Sequence, residues 1–428
     1  MIASPADKRT VLSWVVFDFA NSAYTTLVVT FVYSTYFVST IAPDPVTGTA
    51  LWSRGVTLTA LCVAFFSPIL GALADQGGLR KPLLFVSTAV TVAGTAVLYW
   101  IVPGQIYPAL FWFVVSNIAF EFANVFYNAY LPDIATSKNI GRISGVGWGV
   151  GYLGGLAALV VAFSGFISPA VPWFGVSIET GAHIRATCLL VATWFAVFSI
   201  PLFVWVPKTR PSVGSGRIRI IHTAVSDVKN TLKDIRRYRQ IVHLLVARMI
   251  YNDGLVTLFA FGGIYAAGTF GFSFHQIMIF GIVLNVAAGI GALVMGMFDD
   301  RLGGKTTIQV SNGVLAVAAL MAAIAPDKTW FWVSGILVGF FAGPNQSASR
   351  SLLGRLVPKD KENQFFGFFA FSGKLTAFMG PLFLGVLTQM FDSQRAGVAV
   401  VILFFIIGGL LLTRVNEAEG IAAARHGL

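Results

Sequence analysis

The chain of 428 residues is 56% hydrophobic and only 11% charged, with a mean hydropathy of +0.78. A soluble globular chain carries about 25% charged residues, so no water-soluble core accounts for 38 phenylalanines among so few ionisable groups. The net charge of +11 comes without an aromatic stacking pattern or recognition motif, which speaks against a nucleic-acid partner.

Crossing a bilayer takes about 20 apolar residues at 1.5 Å each. Stretches of that length fall at 12–38, 52–74, 82–102, 107–130, 143–166 and 185–206. After a polar interval they resume at 241–266, 275–298, 307–325, 329–352, 365–390 and 396–413. The expected fold is an all-α polytopic membrane protein of twelve transmembrane helices. An amino-terminal six-helix half (1–206) and a carboxyl-terminal half (241–428) would be joined by a cytoplasmic linker (207–240). The first stretch follows Lys8 and Arg9 and lacks a small-residue cleavage pattern, so it is expected to remain an anchor. Cys62 and Cys188 lie far apart in apolar segments and read as free thiols.

Basic residues set the orientation. Lys8, Arg9, Arg80, Lys81, Lys138, Arg142, the cluster within 208–239, Arg301, Lys305, Arg355, Lys359, Lys361, Arg414 and Arg425 all fall on one side. Arg54, Arg185, Lys328 and Arg395 fall on the other. Positive charge stays inside, so both termini are expected in the cytoplasm, with a bacterial inner membrane as the setting. The linker holds Pro207, Pro211, Gly214 and Gly216, followed by HTAVSDVKNTLKDIRRYRQ. That run predicts a helix on the inner leaflet, its basic residues meeting anionic headgroups.

Polar residues within the spans mark the candidate site. Asp18, Asn21 and Thr25 recur at i, i+3, i+7 in the first span and so share one face. An ionised Asp at membrane depth costs about 2.5–3.5 kcal/mol, and a helix keeps it where that face looks into protein or water. Glu121, Asn124 and Asn128 repeat the spacing in the fourth span. Glu121 lies about 15 Å in from Leu131, near the midplane, and Lys374 of the eleventh span lies at a matching depth. The two are either an ion pair that locks the halves together or part of a substrate and proton site shared with Asp18, which sits nearer the cytoplasmic mouth and has capping or gating as its alternative role. Arg248 can reach the interface by snorkelling and is split between gating and binding. Asn252, at i+4 from Arg248, is favoured over Asp253 for its face. Tyr127 and Tyr152 are candidate cavity walls. Asn285, Asn345 and Gln346 are further polar groups within spans, and Arg350 reads as a cytoplasmic gate.

Two landmarks reveal a duplication. GALADQGGLRK at 71–81 follows the second span and GMFDDRLGGK at 296–305 follows the eighth, placing Asp75 and Asp300 225 residues apart. Pro132 and Pro358 mark the ends of the fourth and tenth spans at nearly the same separation. Parallel duplicated halves are one plan of secondary transporters.

The pattern Gly71-x-x-x-Asp75-x-x-Gly78-x-Arg80-Lys81 resembles the loop motif of the major facilitator superfamily, with Leu79 interrupting the usual Gly-Arg adjacency. Within it, WVVFDFANSAY at 14–24, FYNAYLP at 126–132, GYLGG at 151–155 and RMIYNDG at 248–254 are similar to the vacuole-effluxer branch. That branch contains the fungal autophagy-related amino-acid effluxers and bacterial relatives. The resemblance implies a carrier with pseudo-symmetric halves working by alternating access, helices one, four, seven and ten lining the cavity. It suggests amino acids as substrate. Asp75, Arg80, Lys81, Asp133, Arg142, Asp300, Arg301, Lys305 and Arg350 are then expected at the cytoplasmic gate. The substrate and ion site is expected among Asp18, Asn21, Thr25, Glu121, Asn124, Asn128, Tyr152, Arg248, Asn252 and Lys374.

The expected activity is secondary transport of a small polar or zwitterionic solute, driven by an H+ or Na+ gradient, in a monomer embedded in the lipid bilayer. Export of amphipathic drugs or lysolipids is the alternative, prompted by FFGFFAF at 365–371. A membrane enzyme or receptor is disfavoured because neither a catalytic cluster nor a signalling domain is visible. The absence of a GxxxxGK[ST] loop argues against an ATP-driven pump. His183, His222, His243, His275 and His426 lack metal-ligand spacing, so no metal or cofactor is expected.

Overall fold

The protein is all-helical among the described residues, 7–206 and 217–426 of a computed structural model. Pro207, Pro211, Gly214 and Gly216 lie outside them. Among the described residues, eleven helices are long and apolar enough to cross a membrane. They are, in order, Lys8–Ile41, Pro45–Gln76, Arg80–Trp100, Ile106–Ile134, Ile140–Ile167, Ala182–Trp205, Ile235–Phe270, His275–Leu302, Gly304–Ile324, Glu362–Met390 and Gln394–Leu412. The remaining predicted span, the tenth, is the helix Lys328–Leu356, which is as long as the others but less apolar. It carries Asn345, Ser347, Ser349, Arg350, Ser351 and Arg355, all buried against neighbouring helices.

Ends are set by local chemistry. Asp44 caps the second span, accepting from the Val46 and Thr47 N–H groups at 3.0 and 2.9 Å, with Pro45 in the first turn. Gly78 ends that helix at φ 60°, a conformation that costs glycine little. Asp327 caps the tenth span through the Thr329 and Trp330 N–H groups. Two spans depart from a regular α-helix. The first widens to π-type turns at Tyr24–Phe31 and Phe37–Ile41, a stretch rich in β-branched residues. The eleventh was expected to run unbroken, yet it divides into Glu362–Leu375 and Met379–Met390, with Thr376 to Phe378 unwound between them.

The helices pack by the same rule in each half. Spans one and five, one and six, two and four, three and four, and three and six pack together. Their repeat partners, seven with eleven, seven with twelve, eight with ten, nine with ten and nine with twelve, do likewise. The two six-helix halves are thus pseudo-symmetric, as the duplicated landmarks require. They meet where span two crosses the first segment of span eleven and where span five crosses span eight. Glycine permits both crossings. A Cβ on Gly145 would lie 2.9 Å from the Gly296 Cα, and one on Gly71 would strike the backbone of Asn363 and Gln364. These contacts all lie toward the end carrying both termini. At the opposite end the π-type turns of span one and the segment Met379–Met390 pack within their own halves.

The helix Arg217–Lys233 does not lie free on a surface. Its Ala224 and Thr231 are buried, Thr231 donates to the Gln364 side chain at 3.3 Å, and Asp227 accepts from Gln76. It thereby bridges spans two and eleven at the termini side. Cys62 and Cys188 are free thiols, the second buried.

Candidate functional site

Three polar tiers stack along the axis, beginning at the termini-side mouth. In the outermost tier, Asp75 accepts from the backbone N–H groups of Asn363 and Gln364 at 3.1 and 2.8 Å and from the Asn363 amide at 2.6 Å. A carboxylate here caps the first turn of span eleven, where unpaired N–H groups and the helix dipole favour negative charge. Its repeat partner Asp300 caps span five in the same way, accepting from the N–H groups of Gly141 and Arg142 at 2.8 and 3.1 Å. Each carboxylate reaches from one half to the other. Arg80 pairs with Asp133 and with Glu362 at 3.3 Å, and lies 3.9 Å from Asp75. Arg355 answers it from the second half, pairing with Asp299 at 2.5 Å, Asp300 at 3.5 Å and Glu417 at 3.5 Å.

Not every expected gate residue belongs to this tier. The Lys81 ammonium donates to the Val206 carbonyl at 2.5 Å, and Lys305 donates to the Thr413 and Val415 carbonyls at 2.9 and 2.6 Å. These are equivalent staples, each tying the start of the third helix of a half to the end of its sixth, so neither spans the halves. Arg301 has an exposed side chain, and Arg142 takes part through its backbone.

The middle tier is built on Arg350. It donates to Asp18 and Asn128 at 3.1 Å each, to the Ser144 hydroxyl at 2.9 Å and to the Ser144 carbonyl at 2.8 Å. Its guanidinium lies 4.7 Å from the centre of the Trp14 ring, which stacks on Tyr127. Tyr127 is therefore a fully buried support and not a cavity wall, its hydroxyl donating to the Trp14 carbonyl at 2.9 Å. One residue of span ten thus binds spans one, four and five of the opposite half. Gly147 makes the room, since a Cβ there would sit 2.6 Å from the Asp18 carboxylate. Of the two roles expected for Asp18, a share in the Glu121 site or a cap or gate nearer the mouth, the pairing with Arg350 favours the second; the other Asp18 oxygen lies 3.5 Å from the Asn21 amide.

The innermost tier lies beyond the middle one, farther from the termini. The Lys374 ammonium is 2.7 Å from Glu121, joining spans eleven and four, and the two side chains remain 32% and 21% exposed. Asn124, half-buried between tiers, accepts from Asn21 at 3.4 Å. Arg248 does not snorkel as expected. It turns inward from span seven onto span eleven, donating to the Phe369 carbonyl at 2.9 Å and the Ser372 hydroxyl at 3.1 Å. The Phe369 ring lies 3.6 Å from its guanidinium centre. Gly373 leaves the room, since a Cβ there would lie 2.6 Å from an Arg248 Nη. Among the described residues Arg248 has no carboxylate within ion-pair distance, and its Nε is buried without a partner. Asn252 follows on the same face, donating to the Gly373 carbonyl at 3.3 Å and accepting from Gln346 at 3.5 Å.

Other expected lining residues lie elsewhere. Thr25 returns its hydroxyl to the Ser22 carbonyl at 3.0 Å. Tyr152 packs at the crossing of spans five and eight, against Gly289 and 5.8 Å from Trp148. Asn285 donates back to Gly281 and Asn345 donates to Asn312, both within the second half. Phe365, Phe366 and Phe369 are buried, which removes much of the apolar wall suggested by the sequence. Sequence reasoning missed Asp299, Glu362, Ser144 and Trp14, and it passed over Asp253, which is fully buried. The paired acids Asp299 and Asp300 beside a repeat motif, and a buried basic residue at the end of span ten, were signals available for the first of these.

Residues 41–425 match the family described as vacuole effluxer Atg22 like. The chain is 30% identical over 413 residues to the MFS-type transporter YxiO of Bacillus subtilis (strain 168), covering 95% of this chain and 94% of that protein. It is 22% identical to autophagy-related protein 22 of Yarrowia lipolytica (strain CLIB 122 / E 150), covering 80% and 70% respectively. Its fold is similar to that of the human organic anion transporter MFSD10, with TM-score 0.74, 14% identity, and 96% and 100% of the two chains covered. The proton:xylose symporter XylE gives TM-score 0.74 at 15% identity, with 96% of each chain covered. Twelve helices in duplicated halves, the paired helix-capping aspartates and a matched family spanning most of the chain lead to one conclusion: this integral membrane protein is a major facilitator transporter, not an enzyme, and belongs to the vacuole effluxer Atg22-like family.

Proposed function

We propose that the protein is a secondary carrier for zwitterionic solutes of the amino-acid class, driven by an ion gradient and working by alternating access. The observation that carries the reading is the composition of the innermost tier, with two cations, Lys374 and Arg248, gathered around one carboxylate, Glu121. A zwitterion complements this set. Its ammonium meets Glu121, and its carboxylate meets Lys374 and the free edge of Arg248. Bidentate guanidinium–carboxylate contacts supply both geometry and charge. The Glu121–Lys374 pair then holds the empty site and opens to admit the substrate.

With the termini in the cytoplasm, the arrangement corresponds to a carrier sealed on the cytoplasmic side and open outward. Asp75, Arg80, Asp133, Asp300 and Arg350 form the seal that parts during the inward transition. The resemblance of the 14–24 and 248–254 stretches to the amino-acid effluxers supports an amino-acid substrate, and buried packing of Phe365, Phe366 and Phe369 weighs against an amphipathic one. Purified protein in liposomes tests the reading by counterflow of radiolabelled amino acids against their carboxamides. Free amino acids exchange and the carboxamides do not, because the carboxylate is the group that two cations await. Equal exchange of both would overturn the proposal.

A further inference from the structure

We propose that Asp253 is the protonation site through which this carrier draws on a proton gradient, an inference that rests on the transporter reading above. Asp253 sits on span seven where span eleven is unwound, and its residue is 0% exposed. Its Oδ1 lies 3.2 Å from the Thr376 hydroxyl, and its Oδ2 is buried without a partner. The same hydroxyl lies 3.1 Å from the Met249 carbonyl. Thr376 has one hydrogen and two facing acceptors, so an ionised Asp253 leaves one of those contacts unmade. A protonated Asp253 satisfies both: its carboxyl O–H donates to the Thr376 oxygen, and Thr376 donates to Met249. Burial acts in the same direction, because a carboxylate held from water without a paired cation is the costly form.

The charges nearby face elsewhere. Arg248, on the same helix, is turned onto Phe369 and Ser372, and Tyr251 meets the Ser349 hydroxyl at 2.8 Å. Lys374 of span eleven is held by Glu121, while Arg350 and Arg355 of span ten are held by Asp18 and by Asp299. Span twelve presents Phe404 and Phe405 near Gly254, and its Arg395 is bound to the Ala323 and Ala325 carbonyls. Asp299 and Asp300 of span eight belong to the outer tier. Asp253 is therefore a carboxyl whose charge state is free to change without breaking an ion pair, unlike Glu121 or Asp18. The unwound stretch Thr376 to Phe378 is the element able to withdraw the Thr376 relay, so that the proton held in this conformation leaves as H+ once span eleven moves and admits water.

Two measurements test the assignment. Infrared spectroscopy of the protein in lipid vesicles at neutral pH reads protonated carboxyl groups without any substrate. The wild-type band should lose a component in Asp253→Asn and keep it in Glu121→Gln, and an unchanged spectrum in Asp253→Asn overturns the proposal. Liposomes loaded with a mixture of free amino acids supply the second reading. Asp253→Asn should abolish accumulation driven by a pH gradient while counterflow stays within about twofold of wild type. Full gradient-driven accumulation in that variant overturns the assignment. If wild-type protein moves none of the amino acids, the substrate reading falls, and the infrared comparison still decides whether Asp253 carries the proton.

Discussion

Removing the Arg350 charge is the sharpest perturbation of the closed state. In Arg350→Gln the contacts to Asp18 and Asn128 at 3.1 Å and to Ser144 at 2.9 and 2.8 Å cannot all be kept. Asp18, 12% exposed at its side chain, is left with the Asn21 amide at 3.5 Å. Orphaning one partner of a buried pair costs about 3–5 kcal/mol, and the partial exposure of Asp18 points to the lower end. All of these contacts exist when the termini side is closed, so the loss falls on that conformer. At 1.4 kcal/mol per decade, about 3 kcal/mol shifts the conformational ratio roughly a hundredfold, enough to turn about 99% closed into an even mixture. Spin labels at Lys138→Cys and Lys359→Cys, both exposed and on opposite halves, read the separation by pulsed electron resonance once Cys62 and Cys188 are replaced. Arg350→Gln should add a population at longer distance, and Asp18→Asn should do the same. Combining the two should cost less than the sum of the single changes, since no orphaned charge remains. Distance distributions indistinguishable from wild type in both single variants would refute the argument.

Three further outcomes follow from the same geometry. Glu121→Gln should leave thermal stability within about 1 kcal/mol of wild type, as expected for a part-exposed pair, while weakening amino-acid binding at least about tenfold by isothermal titration. Gly145→Val should keep the protein folded yet prevent close approach of spans five and eight, so that the same spin-label pair reports an open termini side and counterflow is lost. Lys81→Met and Lys305→Met should each lower stability by about 1 kcal/mol in thermal unfolding without altering the spin-label distances, because both lysines tie helices within one half.

The sequence made the architecture legible because a bilayer imposes a simple length and polarity rule, and because the glycine and aspartate of the Asp75 motif recur, in a partial copy, around Asp300. The same period of 3.6 placed Glu121, Asn124 and Asn128 on one face, and the structure gives that face three partners in turn: Lys374, Asn21 and Arg350. Partnership across the halves was harder to read. Asp18 and Glu121 look equivalent by spacing, yet which of Arg350 and Lys374 each one meets depends on how two halves dock, and no local pattern encodes that. Arg248 was misread for a related reason. Its depth allows snorkelling, but its guanidinium turns inward onto the Phe369 carbonyl where Gly373 leaves room. The break in span eleven was announced by Pro381, which offers no N–H to the Ala377 carbonyl. The polarity of span ten, by contrast, was visible from the start and explains why that helix is the least apolar of the twelve.

Duplication also separates the outer mouth of the carrier from the tiers inside it. Asp75 and Asp300 cap equivalent helices of the opposite half, and Lys81 and Lys305 staple equivalent pairs within their own. The charges of the inner tiers have no such twins. At the spacing of 225 residues that relates the two aspartates, Glu121 corresponds to Gln346, Lys374 to Gly149, Arg248 to Ala23 and Asp253 to Val28. A rocking motion needs like surfaces on both halves, because the same contacts must be broken and remade about one axis. A site for a zwitterion needs the reverse, a carboxylate on one half facing cations on the other. The repeat is therefore kept at the outer mouth and lost both in the closing tier of Arg350 and Asp18 and at the midplane. The acid on span four and the bases on spans seven and eleven are the places where that loss is most complete.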